Sequence, residues 1–220
     1  METKKPWVLV CGSIAIDLLG DYDGSFDEYE KKYKIQGLNI SLQLSEIRSS
    51  FGGCGLNIAY GLHKLSVPVI PLSVAGTDYL DRYQEHLTKI GIETDYISVD
   101  KSRRSSATAL VISDKHGNQI TGFYAGAAAS PIRRLPSEIQ NIESCHIGIL
   151  APEAASIMLR QARNLAELDI PIIFDPGQGI TDFSKAEINE LVHLSKIMII
   201  NSHEYQILLE KSHLSEEELL

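Results

Sequence analysis

Short β-branched runs alternate with helical patterns along most of the chain, and this rhythm restricts the fold more than any other feature. The runs are WVLVCGS, NIAYGLHKL, VPVIPLSVAG and YLDRYQEHLTKIG, then SCHIGILAP, AASIMLRQARNLAELD, IPIIFDP, SKAEINELVHLSK and IMIINSHE, with a last helix from near His203. Strand, helix and strand in repetition imply βαβ units, hence an α/β protein with a mostly parallel sheet flanked by helices. Val8 to Cys11 and Ile197 to Ile200 are continuous apolar runs, as expected of strands covered on both faces. In the segment from Ala155 to Leu168, residues Ala155, Met158, Leu159, Ala162, Leu165 and Ala166 recur at helical spacing and define one buried face. At 220 residues the chain is long enough to bury such a core.

Two stretches break the rhythm. Residues 21–50, with LNISLQL inside them, and residues 107–124 (ATALVISDKHGNQITGFY) read as antiparallel strands, the second pair turning at Lys115-His116-Gly117-Asn118. They are expected to leave the parallel sheet as a small β lid over the crevice at the carboxyl ends of its strands, where such sheets bind ligands.

The charge and the residue spacings exclude several classes of function. With 20 basic and 29 acidic residues, the net charge of −9 offers no footprint for nucleic acid. The apolar runs of four or five residues fall far short of the ~20 needed to cross a bilayer, and the first twenty residues lack a signal-peptide cleavage pattern, so a cytoplasmic protein is expected. Cys11, Cys54 and Cys145 are widely spaced and suggest small buried fillers, and the seven histidines show no ligand spacing. There is no G-x-x-x-x-G-K-[ST] loop, and no G-x-G-x-x-G follows the first strand.

Three motifs carry possible chemistry. In FGGCGLNIAYGLHKL, residues 51–65, Gly52 and Gly53 form a turn just before a helix, where backbone can approach a ligand, and Asn57 sits in the first helical turn. An ordinary glycine turn with a capping asparagine accounts for the same residues. CGSIAID closes the first strand with Asp17, whose alternative role is a helix cap or loop residue. IMIINSHEYQILLE places Asn201 and Glu204 after a strand, where a capping asparagine and a solvated glutamate would serve equally well.

Together these segments resemble the ribokinase-like (PfkB) carbohydrate kinases. FGGCGLNIAYGLHKL with GNQITGFYAGAAAS and IIFDPGQG is similar to the adenosine kinase-like branch. The resemblance implies an ATP-dependent kinase, using Mg2+, that phosphorylates a hydroxymethyl group on a sugar or nucleoside. It assigns acceptor hydroxyls to Asp17, the lining of the acceptor site to Gly52, Gly53 and Asn57, and the phosphate end to Asn201 and Glu204, with Glu204 reaching the metal through water. Thr121 and Phe123 share one side of a lid strand. Phe123 could close over a sugar or stack on a base, although packing the lid against the core is the preferred reading. Related kinases hold the sugar with a carboxylate near ILAPEAA; here Glu153 stands close by and Ala151 competes for the position, which puts ribose itself in question.

The family's G-A-G-D motif, source of the catalytic base, is not found in these residues. Residues 1–220 therefore read as a single incomplete kinase domain, a truncated form without its base. The alternative is a non-catalytic fragment that binds a sugar or nucleoside. Exposed lid strands would offer an edge for a homodimer.

Overall fold

The computed structural model describes residues 6–33 and 40–213. In chain order its strands are β1 (Trp7–Cys11), β2 (Ala15–Tyr22), β3 (Glu46–Gly52), β4 (Val69–Ala75), β5 (Ile97–Val99), β6 (Ala107–Asp114), β7 (Gln119–Tyr124), β8 (Cys145–Leu150), β9 (Ile172–Phe174) and β10 (Ile197–Met198). The α-helices are α1 (Phe26–Tyr33), α2 (Cys54–Lys64), α3 (Tyr83–Ile90), α4 (Ala155–Glu167), α5 (Lys185–Leu194) and α6 (Ser202–Ser212). None of the described helices is long and apolar enough to cross a membrane.

Six strands form a parallel sheet in the order β10-β9-β8-β1-β4-β5, as the alternating pattern predicts. Its largest core cluster joins Leu9, Cys11, Leu72, Leu150, Met158, Leu165 and Phe174, all at most 1% exposed, so helix α4 packs against the sheet through the expected stripe. Cys11 and Cys145 are buried fillers, whereas Cys54 is exposed at the start of α2, against expectation.

The lid is a second sheet, β3-β2-β6-β7. Its outer pairs are antiparallel as expected, and they join through a parallel β2–β6 pairing, which makes the sheet mixed. It also begins earlier than the sequence suggests, at Ala15, because Ile14 is fully buried and anchors the departing chain. Within LNISLQL, Leu38 and Asn39 lie outside the described residues and Ile40 to Leu44 form no strand; β3 follows at Glu46.

The Lys115–Asn118 turn closes β6 on β7 around Asp114. That carboxylate accepts from the backbone N–H groups of Phe26, His116 and Asn118 and from the Asn118 side chain, at 2.9–3.1 Å. Burial alone would raise its pKa, but the four donors outweigh burial and hold it at about 2. Because this lies below the ordinary 3.8, Asp114 contributes stability that is complete above that value and is lost as pH falls toward 2. Asp114→Asn should therefore lower the thermal midpoint at neutral pH, and the gap from wild type should narrow as pH is lowered from 4 to 2, followed by circular dichroism.

Candidate active site

The start of helix α2 packs closely because glycine allows three contacts there, two with backbone and one with a side chain. A methyl group at Gly55 would lie 2.7 Å from the Cα of Gly12, and one at Gly53 would lie 2.5 Å from the carbonyl oxygen of Ser13. Gly53 also sits at φ +95°, where side chains are disfavoured. At Gly52 a methyl would stand 2.2 Å from a carboxylate oxygen of Asp17. The space left by the missing side chains is thus filled by the chain's own β1–β2 link and by Asp17. The turn is more than an ordinary glycine turn, and Asn57 does not cap it, since Gly53 occupies the cap position.

Asp17 lies inside β2, neither closing β1 nor capping a helix. Its carboxylate has no hydrogen-bond or ion-pair partner among the described residues, and half-burial raises its pKa. Paired residues in neighbouring strands point to one side, so the register Ser50–Asp17–Ala109–Phe123 puts Asp17 and Phe123 on the same lid face. Two strand spacings separate them, about 10 Å. Phe123 is 66% exposed and does not pack the lid against the core. Asn57 is exposed on α2.

A second group gathers where β9 and β10 end. The Asn201 side-chain oxygen accepts from the N–H groups of His203 and Glu204, while Glu204 accepts from the N–H and side-chain amide of Asn201. This is a closed capping box. Glu204 is only 7% exposed, which sets aside the alternative of a solvated glutamate at the helix start. Asp175, which sequence reasoning passed over, stands at the end of β9 with one oxygen accepting from the N–H of Gly177 at 3.0 Å. Burial raises its pKa, Gly177 opposes the rise, and the nearby charge of Glu204 adds to it. The signal was an Asp-Pro-Gly directly after an apolar strand.

Cys54 links the two groups. Although open to solvent, it is close enough to protein that burial, then Asp175, then Asp17 push its thiol up. The lid carboxylate and the strand-end carboxylate thus both lie within electrostatic reach of Cys54. Glu153 is withdrawn: both its oxygens contact the Arg133 guanidinium at 2.6 Å, and the two side chains are 2% and 0% exposed. Burial pushes Glu153 up to about 7 against the pull of Arg133. Ala151, 1% exposed, packs against Gly12. Neither presents a polar group to an acceptor.

Two acidic side chains with spare lone pairs, Asp175 and Glu204, suit a hard cation held partly through water, although no group of three metal-binding side chains occurs among the described residues.

The sequence is 29% identical over 169 residues to a nucleoside kinase of Methanocaldococcus jannaschii, covering 76% of this chain and 54% of that protein. It is 27% identical over 187 residues to a nucleoside kinase of Methanothermobacter thermautotrophicus, covering 84% and 57%. The chain thus spans about half the length of the curated relatives it matches. Its fold superposes on Burkholderia thailandensis nucleoside kinase in complex with inosine with a TM-score of 0.82 and 29% identity, covering 96% of this chain and 66% of that one. The Methanocaldococcus jannaschii nucleoside kinase structure, an archaeal member of the ribokinase family, shares the fold at a TM-score of 0.84 and 24% identity, covering 99% and 68%. The pattern of the pfkB family carbohydrate kinases matches residues 7–220, and the chain belongs to that family.

Proposed function

We propose that this chain carries the acceptor half of an ATP-dependent nucleoside or sugar kinase, and that a nucleoside is its acceptor. The observation that carries this reading is the unpartnered, half-buried carboxylate of Asp17, which shares a lid face with the exposed ring of Phe123. An ionised carboxylate accepts two hydroxyl donors, as vicinal ribose hydroxyls offer. An aromatic ring about 10 Å away across two strands is placed to stack on a base. The Asn57 amide supplies a further polar group from α2, and Gly52 and Gly53 shape the floor. Relatives in complex with inosine, with ADP and inosine, and with ribose and ATP support an acceptor beside a nucleotide.

At the other end, Asn201, Glu204 and Asp175 would hold a hydrated Mg2+, which when bound neutralises phosphate oxygens. Asn201 and Glu204 hold each other in place through the capping box, so the carboxylate is oriented before any ligand arrives. The absence of G-A-G-D from these residues favours a second reading for the polypeptide by itself: binding without turnover, since phosphoryl transfer needs a base at the acceptor hydroxyl. The chain is proposed to act in the cytoplasm.

The lid's opposite face carries Ile47, Leu110, Ile120 and Tyr124, each at least 42% exposed. Such an apolar patch is suited to a second copy of the chain. Sedimentation should find a dimer that Leu110→Lys with Ile120→Lys dissociates; an unchanged monomer would remove this proposal.

Calorimetry should detect inosine or adenosine more tightly than ribose, with no ADP released on adding ATP. Replacing Asp17 by Asn should weaken nucleoside binding by about 1 to 3 kcal/mol; equal affinity would end the assignment.

Asp175 has a raised pKa, so its ionisation costs stability as pH climbs above the ordinary 3.8. Asp175→Asn should raise the metal-free thermal midpoint at pH 7.5 while abolishing the increment that millimolar Mg2+ gives wild type. An increment that survives would contradict the metal role, and a metal-free midpoint below wild type would contradict the cost of burying the Asp175 charge.

A further inference from the structure

Tyr83 begins α3, on the far side of β3 from the crevice, and is 4% exposed. Its hydroxyl donates to the carbonyl oxygen of Gly52 at 2.8 Å. Its ring stacks on Phe51, with centroids 4.4 Å apart, and His86 stacks on the same phenylalanine at 4.8 Å. The bond therefore fixes the peptide that leads from Gly52 into Gly53, the residue that turns the chain into α2. Over the Cα of that same Gly52 stands the Asp17 carboxylate, with no room for a side chain between them. Tyrosine hydroxyl, glycine peptide and carboxylate form one continuous column.

The column has space beside it. A cavity of about 310 Å³, bounded by Ile16, Ser49, Phe51, Asp78, Arg82 and Tyr83, lies next to the aromatic stack. The β2 ladder and the Phe51 stack hold the strand itself; the Tyr83 hydrogen bond adds a directed contact to the Gly52 carbonyl, beside open space. The Tyr83 phenol is protonated at neutral pH even at its ordinary value of 10, and burial with the charge of Asp17 pushes it further up, so it is a donor.

We infer that Tyr83 is a positioning residue for the acceptor: by holding the Gly52 carbonyl it sets the floor under Asp17 and so the place of the carboxylate that meets the acceptor hydroxyls. This inference rests on the proposed role of Asp17. It fits the requirement that a binding group be locked by its supporting contacts.

The test is a double-mutant cycle on the full chain, read by inosine calorimetry, with wild type, Asp17→Asn, Tyr83→Phe and the double variant. Tyr83→Phe keeps the ring stack and removes only the hydroxyl. It should weaken inosine binding about three- to tenfold, the worth of one hydrogen bond. In the Asp17→Asn background the same change should cost less than about twofold, because there is no longer a charged acceptor group to place. A purely structural tyrosine would give equal losses in both backgrounds, and that result would overturn the inference. So would full affinity in Tyr83→Phe while Asp17→Asn binds weakly, which leaves the Asp17 reading intact. If Asp17→Asn binds as wild type, the Asp17 reading fails and this inference falls with it. Phe51→Leu, which removes the ring that orients Tyr83, gives an independent arm should Tyr83→Phe not fold: a loss that vanishes in the Asp17→Asn background is expected, and an additive loss overturns the inference.

Discussion

The structure depends on the close backbone contact between the start of α2 and the link from β1 to β2. Gly12 and Gly55 meet at Cα distance, and Gly53 turns against Ser13 and Ile14. Any side chain at these positions would push the helix away from the sheet. The contact brings three things to one place: the carboxyl end of the parallel sheet, the first strand of the lid and the free N–H groups that open a helix. Two of those groups are already committed, Cys54 N–H donating to the Ser13 hydroxyl and Leu56 N–H to the Ser13 carbonyl. The link is tied to the helix by hydrogen bonds as well as by sterics.

From that contact follows the electrostatic character of the crevice. Asp17 comes from the lid, Asp175 and Glu204 from the strand ends, and burial raises both aspartates, Asp175 with a further push from Glu204. A cleft of carboxylates is ill suited to an anionic ligand by itself. It suits hydroxyl donors on one side and a cation on the other, and a polyphosphate would approach only with its charge neutralised. Burial first, and then this acidity, hold the Cys54 thiol in its un-ionised form, unsuited to act as a nucleophile.

Glu153 illustrates how a carboxylate near such a cleft can be withdrawn from it. Paired with Arg133 and shut away from solvent, it ties the segment following the lid to the β8–α4 loop. Removing one partner of a buried pair leaves an uncompensated charge, so the pair specifies this arrangement whether or not it adds net stability.

Periodicity alone determined the parallel sheet, the helices and the existence of a lid, because apolar spacing of two or 3.6 residues is a local property that burial enforces. The spacing of Gly52, Gly53 and Asn57, and of Asn201 and Glu204, was likewise legible, since both motifs sit at strand-to-helix junctions that the pattern exposes. Tertiary structure decided the rest. Asp17 belongs to the lid rather than to β1 because Ile14, a single buried side chain, takes the chain out of the sheet. The parallel β2–β6 pairing joins residues some ninety positions apart, and only that register puts Phe123 on the face of Asp17. Asp175 and Cys54 lie inside the marked segments IIFDPGQG and FGGCGLNIAYGLHKL and Tyr83 lies in none; all three matter through proximity, and proximity between distant residues is set by packing, which no local pattern records.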